Sequence, residues 1–280
     1  MIVFQSITKR YTKGAQPALD GVSLEVHAKQ FCVVLGPSGS GKSTLLRTVN
    51  GLVRPTSGRV LVGGTPVLPR TTKIIRRRVG MIHQQFNLVP RLSVLDNVIA
   101  GALPVVPHWR VLLRRWPVSL ERRACELLES VNLKPAYLQR RVSELSGGEQ
   151  QRVAIARAFI ARPDVVLADE PVASLDPSTS RTVLALLRSA AEQTGATVLC
   201  SLHQVDLARA FSDRIVAMRA GKVVFDGAPD LLQKETVSTI YSDGGPKSAR
   251  ETELLTESKR PADTKPESNA GSAQQMAAAR

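Results

Sequence analysis

The chain is short of cysteine, of aromatic residues and of long apolar runs, and each shortage removes a class of protein. Cys32, Cys125 and Cys200 are odd in number and far apart. They build neither a disulfide framework nor a metal-ligand pattern, and free thiols in a reducing compartment fit them best. Aromatic residues make up 4% of the chain, too few for a platform on which single-stranded bases would stack. No stretch approaches the ~18 consecutive apolar residues that cross a bilayer. The most apolar one, residues 92–106, is broken by Asp96, Asn97 and Pro104. The N-terminus, MIVFQSITKRY, lacks a charged segment followed by an apolar one, so no secretory signal is expected. These absences lead to the expectation of a cytosolic protein, or one held at a membrane by a partner.

What is plentiful is positive charge. The net charge is +14, within 280 residues of which 43% are hydrophobic. That length allows one large domain or two small ones, and the apolar fraction suffices for a sizeable core. The cations cluster in residues 70–78 (RTTKIIRRR), 110–115 (RVLLRR), 122–123 and 140–141. Such a balance is compatible with solvated helix faces, with attraction to anionic lipid, or with nucleic acid.

The periodicities alternate between strand and helix. Residues 2–4 and 22–26 read as strands, and 59–63 with 65–68 as a hairpin. Residues 31–35 (FCVVL), 79–83, 165–168 and 197–201 read as strands, the first and third as buried ones. Residues 92–161 turn helical, with apolar positions in 120–131 recurring at helical spacing. Further helices are expected at 178–193, capped by Gly195, and at 205–211. A hairpin at 214–218 and 222–225 follows. Strands alternating with helices imply an α/β fold with a mostly parallel sheet. From Gly244 onward polar and small residues dominate, so residues 244–280 are expected to be a disordered tail.

One stretch carries chemistry by itself. Gly36, Pro37, Ser38, Gly39, Ser40, Gly41, Lys42 and Ser43 fit the phosphate-binding loop pattern, between a predicted buried strand and a predicted helix. Glycines let the backbone wind tightly, so that its N–H groups point inward at an anion. The helix N-terminus adds partial positive charge, and Lys42 adds a full one. Ser43 would place its hydroxyl on a magnesium ion bridging the phosphates of a nucleoside triphosphate. Further on, VVLADE (residues 165–170) is an apolar strand ending in two carboxylates. Asp169 would hold the magnesium through water, and Glu170 would polarise the attacking water. In LSGGEQQR (residues 145–152), Ser146, Gly147, Gly148 and Glu149 open a helix. That N-terminus is either an ordinary helix cap or a second anion site. One chain already has a complete cradle, so a second one suggests use on another subunit's nucleotide.

The set GPSGSGKST (ending at Thr44), LSGGEQQR, VVLADEP, Ser174-Leu175-Asp176 and a lone His203 after a strand resembles the ATP-binding cassette ATPases over residues 1–242. The resemblance implies a P-loop ATPase core, mostly parallel sheet with an antiparallel β subdomain, and an inserted α-helical subdomain. The ATPase domain would span residues 1–243, with the helical insert at about 90–162. It also implies a homodimer packed head to tail, ATP lying between one copy's P-loop and the other copy's LSGGE segment. By the same resemblance Gln84 senses magnesium and water and contacts the membrane part. Tyr11 stacks on adenine, Asp176 lies in the loop that crosses the dimer interface, and His203 contacts the γ-phosphate. Finer features are similar to the ATP-binding subunits of phosphonate importers. These are Val172-Ala173 within LADEPVASLDP, Gln204-Val205 after the histidine, and the stretch LPVVPHWRVLLRRWP at residues 103–117. The expectation is an ATPase at the cytoplasmic face of a bacterial inner membrane, with ATP and Mg2+ as its small molecules. Its partners would be transmembrane permease subunits and a periplasmic phosphonate-binding protein. An importer of phosphate or polar amino acids, or a soluble cassette acting on nucleic acid, are the alternatives; nucleic acid is not expected.

Overall fold

A computed structural model describes residues 1–12, 14–107 and 116–242. The expected tail at 244–280, the cationic cluster at 110–115 and Trp109-Arg110 of the 103–117 stretch lie outside the described residues.

The strand before the glycine-rich loop runs Phe31–Leu35 (β3), with every residue buried. Both of its faces are covered. Phe31, Val33 and Leu35 pack into one apolar cluster, and Cys32 and Val34 into another. It lies between Thr197–Leu202 (β8) and Arg214–Arg219 (β9), parallel to both. Val165–Asp169 (β7) and Val79–Ile82 (β6) continue the parallel array. Lys222–Gly227 (β10) closes the opposite edge, antiparallel to β9. The six-stranded order is β10-β9-β3-β8-β7-β6. Register then does the positioning. Leu35 pairs with Leu202, and Asp169 with Ser201, so β3, β7 and β8 end at one edge of the sheet. Ligands of open α/β sheets bind outside the carboxyl ends of the strands, and the motif residues emerge there.

A second, antiparallel sheet has the order Leu19–Val26 (β2), Ile2–Lys9 (β1), Ser57–Val62 (β4) and Thr65–Pro66 (β5). β1 runs longer than its apolar start suggests, because Gln5 faces outward and Ile7 returns to the core.

Helix Lys42–Val49 (α1) follows the glycine loop. Val94–Ala100 (α3), Val118–Ser130 (α4) and Gly147–Phe159 (α5) pack on one another, with Ala124 and Leu128 as the buried positions of α4. Pro177–Thr194 (α6) is ended by Gly195 in the left-handed conformation, as its sequence predicts. Val205–Phe211 (α7) matches its predicted bounds. Two helices have weak sequence signals. Thr72–Arg78 (α2) buries only Ile75, so its cations hide its period; Arg76, Arg77 and Arg78 lie in the last turn, where the helix dipole favours positive charge. Lys234–Tyr241 (α8) buries only Ile240. Among the described residues no helix is long and apolar enough to cross a membrane.

Candidate active site

The glycine loop is shaped by what surrounds it. A Cβ at Gly36 would stand 2.2 Å from the Met218 carbonyl oxygen, and one at Gly41 2.3 Å from that of Ala18. Gly41 also has φ +104, a conformation that side chains resist, so no other residue fits there without moving backbone. Behind it α1 has no side-chain cap and no acidic residue in its first turn. Its leading N–H groups and the positive end of its dipole are left for an anion. Lys42 is 4% exposed. Its Nζ donates to the carbonyl oxygens of Gly36 at 2.8 Å and Pro37 at 3.0 Å. Burial pulls its pKa down, while the carboxylates of Glu170 and Asp169 push it back up.

The carboxylates stand opposite the loop. Asp169, the last residue of β7, is 2% exposed. Its Oδ1 accepts from Ser43 Oγ at 2.8 Å and Ser201 Oγ at 3.1 Å, and its Oδ2 lies 3.2 Å from Arg47 Nη2. Glu170 follows in the left-handed region at φ +51, which turns its side chain out of the strand direction. Its backbone N–H donates to Ser201 Oγ at 2.9 Å. Its Oε1 is 2.5 Å from His203 Nε2 and 3.9 Å from Lys42 Nζ. The other ring nitrogen of His203 lies 3.2 Å from the Gly36 carbonyl oxygen. Ser38, Gly39, Gly41, Lys42, Ser43, Thr44, Gln84, Glu170 and His203 all line one cavity of about 420 Å³. Gly36, Pro37, Ser40 and Asp169 are not part of that lining. A second cavity of about 470 Å³ is lined by Lys73, Arg76 and Arg77 of the cationic cluster and by residues 104–107 of the 103–117 stretch, and it contains none of the predicted nucleotide-site residues.

The remaining predicted residues lie apart from this cavity or at its mouth. Tyr11 is 64% exposed, with its hydroxyl 3.3 Å from Thr44 Oγ1 and Lys9 Nζ 5.0 Å from its ring centre. Ser146 caps α5 in a reciprocal box. The Glu149 carboxylate accepts from Ser146 N–H at 2.8 Å and Ser146 Oγ at 2.7 Å, and Glu149 N–H donates back to Ser146 Oγ at 3.4 Å. These bonds hold the Glu149 carboxyl below its ordinary pKa. Asp176 caps α6, accepting from the N–H groups of Ser178 and Thr179 at 3.0 Å each and from Ser178 Oγ at 2.6 Å, which depresses its pKa strongly. The two caps are neighbours: a Cβ at Gly148 would stand 2.9 Å from Thr179 Cγ2, and one at Gly147 3.7 Å from Leu175. Neither segment lines the cavity of its own chain.

A family model for ABC transporters matches residues 19–173. The chain is 53% identical over 241 residues to the phosphonates import ATP-binding protein PhnC of Hydrogenovibrio crunogenus, covering 86% of this chain and 88% of that one. It is 56% identical over 219 residues to the protein of the same name from Hyphomonas neptunium, covering 78% and 84%. The chain belongs to the ABC transporter family. The cassette is an ATPase, and its fold agrees. A dimeric ATP-binding cassette in a post-hydrolysis state, bound to ADP and phosphate, superposes with a TM-score of 0.70 at 35% identity, over 82% of this chain and 99% of that one.

Three residues of the cassette's site escaped the motif reading. Arg47 lies four residues after Ser43 on α1, the spacing of one helical turn, and that spacing is the signal that could have found it. Ser201 is visible only from the pairing of β7 with β8. Arg157 of α5 donates to the carbonyl oxygens of Phe86 and Asn87, each at 2.6 Å. Both of those residues have positive φ. The turn just after Gln84 is thus clamped by the helix that Ser146 opens.

Proposed function

We propose that this cassette hydrolyses ATP to energise uptake of phosphonates, or of related phosphorus oxyanions, through a separate membrane permease. The observation that carries the reading is the convergence of Lys42, Ser43, Glu170 and His203 on one cavity at the end of three parallel strands. The substrate class is supported by relatives named for phosphonate import over more than three quarters of the chain. The ATPase domain is read as residues 1–243, with its helical insert at about 90–162.

Phosphoryl transfer needs positioning and charge neutralisation more than covalent chemistry. Residues 36–43 would cradle the β- and γ-phosphates, and the Lys42 ammonium would exchange the Gly36 and Pro37 carbonyl oxygens for phosphate oxygens. Glu170 would accept the proton of the attacking water, and His203 would hold the γ-phosphate. Tyr11, exposed at the mouth of the loop, would stack on adenine. The donor set suits magnesium: Ser43 Oγ, the Gln84 amide oxygen and the Asp169 carboxylate are hard oxygens. Among the described residues no cluster of three or more His, Cys, Asp or Glu could hold a metal, which fits a cation held largely by water and substrate phosphates. Bound magnesium would neutralise charge on the β- and γ-phosphates. Ser146, Gly147, Gly148 and Glu149 of a second copy would close the nucleotide from its far side, with Asp176 beside them. Permease subunits would hold the dimer at the inner membrane, and a periplasmic phosphonate-binding protein would deliver the cargo.

Uptake of labelled phosphonate, phosphite and phosphate by cells with and without this protein tests the assignment. Loss of phosphonate uptake on deletion, restored by the native chain but not by Lys42→Ala, is expected. Unchanged phosphonate uptake alongside lost phosphate or amino-acid uptake would move the cassette to another importer.

A further inference from the structure

The last described helix reaches the site from behind. α8 is seated by Ile240, 1% exposed, and by Arg219 of β9, whose guanidinium donates to the Thr239 carbonyl oxygen at 2.8 Å. It ends at Tyr241, half-buried against the main core cluster. The Tyr241 hydroxyl donates to the backbone carbonyl oxygen of His203 at 3.0 Å. Burial pushes the pKa of this phenol up.

The contacts of the His203 ring set its orientation. His203 Nδ1 faces the Gly36 carbonyl oxygen at 3.2 Å, and this points Nε2 at Glu170. His203 sits in the two-residue link between β8 and α7, outside both elements, and its side chain is 38% exposed. A residue in such a link is placed by what its backbone is tied to, and here the Tyr241 hydroxyl supplies a tie from α8.

We propose that Tyr241 is a positioning residue for ATP hydrolysis. Its hydroxyl holds the His203 main chain in place, so that the imidazole stays aligned between the Gly36 carbonyl oxygen and Glu170. This rests on the reading of His203 as the group that meets the γ-phosphate. It makes α8 a brace of the hydrolytic end of the site. It also predicts a division of labour: the cradle binds nucleotide without the brace, and turnover needs it.

Tyr241→Phe in the full 280-residue chain removes the hydroxyl and keeps the ring. The expected result is a roughly 3- to 10-fold fall in kcat, the size of one lost neutral hydrogen bond. KM for ATP and equilibrium ATP affinity should stay within about twofold, which also shows that the variant is folded. His203→Ala supplies the decisive background. There Tyr241→Phe should add less than about a twofold further loss, because the two residues act as one unit. A wild-type kcat for Tyr241→Phe, a matching loss of ATP affinity, or a full multiplicative loss on top of His203→Ala would each overturn the proposal. Wild-type turnover of His203→Ala alone would overturn the reading of His203 instead, and the brace with it.

Discussion

Two helices of this cassette begin at serine- and glycine-rich segments, and they present opposite faces to an anion. The first helix, α1, opens on Gly41 with no side-chain cap and no acidic residue in its first turn. Its leading N–H groups point at a cavity that contains Lys42. The helix that starts within LSGGE, α5, opens on a closed box in which the Glu149 carboxylate covers Ser146 N–H and Oγ. Every helix start leaves donors that need partners. The first has no side-chain partner, and the second has two of its donors, Ser146 N–H and Glu149 N–H, taken by its own chain. Glycine and serine content does not distinguish them, but the charge in the first turn does: Lys42 in α1 and Glu149 in α5. An anion reaching α5 meets a carboxylate already in place, so this end holds a phosphate only when something else brings the phosphate there. A second copy that carries ATP on its own α1 fits that requirement, and the asymmetry is what a half-site on each copy looks like.

The sharpest way to break this comparison is to disable chemistry without touching either helix start. Glu170→Gln should cut turnover by roughly 10²- to 10⁴-fold, the range of a positioned general base, while ATP binding persists. Turnover within tenfold of the native chain in a phosphate-release assay would remove Glu170 from the role. Ser146→Arg comes next. It replaces a cap of α5 with a bulky cation at the surface proposed to meet a second copy. Turnover should fall by roughly 100-fold or more, the scale of a lost transition-state contact. ATP affinity in a titration of the isolated chain should change by less than about twofold, because the α1 end is untouched. Weakened binding of equal size would mean that the two helix starts serve one chain's site after all.

Legibility followed the range of the interactions. β3, β7 and β8 were readable because buried parallel strands are continuous apolar runs, and α6 because its Gly195 cap is local. α2 and α8 were hard to read because each buries a single residue, Ile75 and Ile240, so neither shows a period. The site divides in the same way. The glycine loop and the Asp169-Glu170 pair announce themselves within six to eight residues of chain. Arg47 on Asp169, Ser201 on Asp169, Arg157 on the turn after Gln84 and Tyr241 on His203 depend on strand order and helix docking. No window of sequence contains both partners of any of these contacts. The capping box at Ser146 is the reverse case. Its residues are adjacent and its pattern is local, yet the same letters also spell an anion site, and only the side-chain geometry shows which state the free chain adopts.

The smallest expected effect tests that state directly. Glu149→Gln keeps the size of the side chain and removes its charge, so it should leave the fold intact and cost a few tenths to about 1 kcal/mol, as a weakened cap does. Its pH dependence carries the argument. Hydrogen bonds from Ser146 depress the Glu149 carboxyl in the folded chain. A depressed carboxylate contributes stability above its unfolded pKa, about 4.3, and loses it as pH falls through the folded value. Near pH 7 the native chain should therefore unfold at a slightly higher denaturant midpoint than Glu149→Gln. The gap should narrow below about pH 4 and close once the native carboxyl is protonated. A gap that stays constant down to the acid limit would mean that the charge of Glu149 does not hold the box shut. The contrast between an open α1 and a closed α5 would then rest on shape alone.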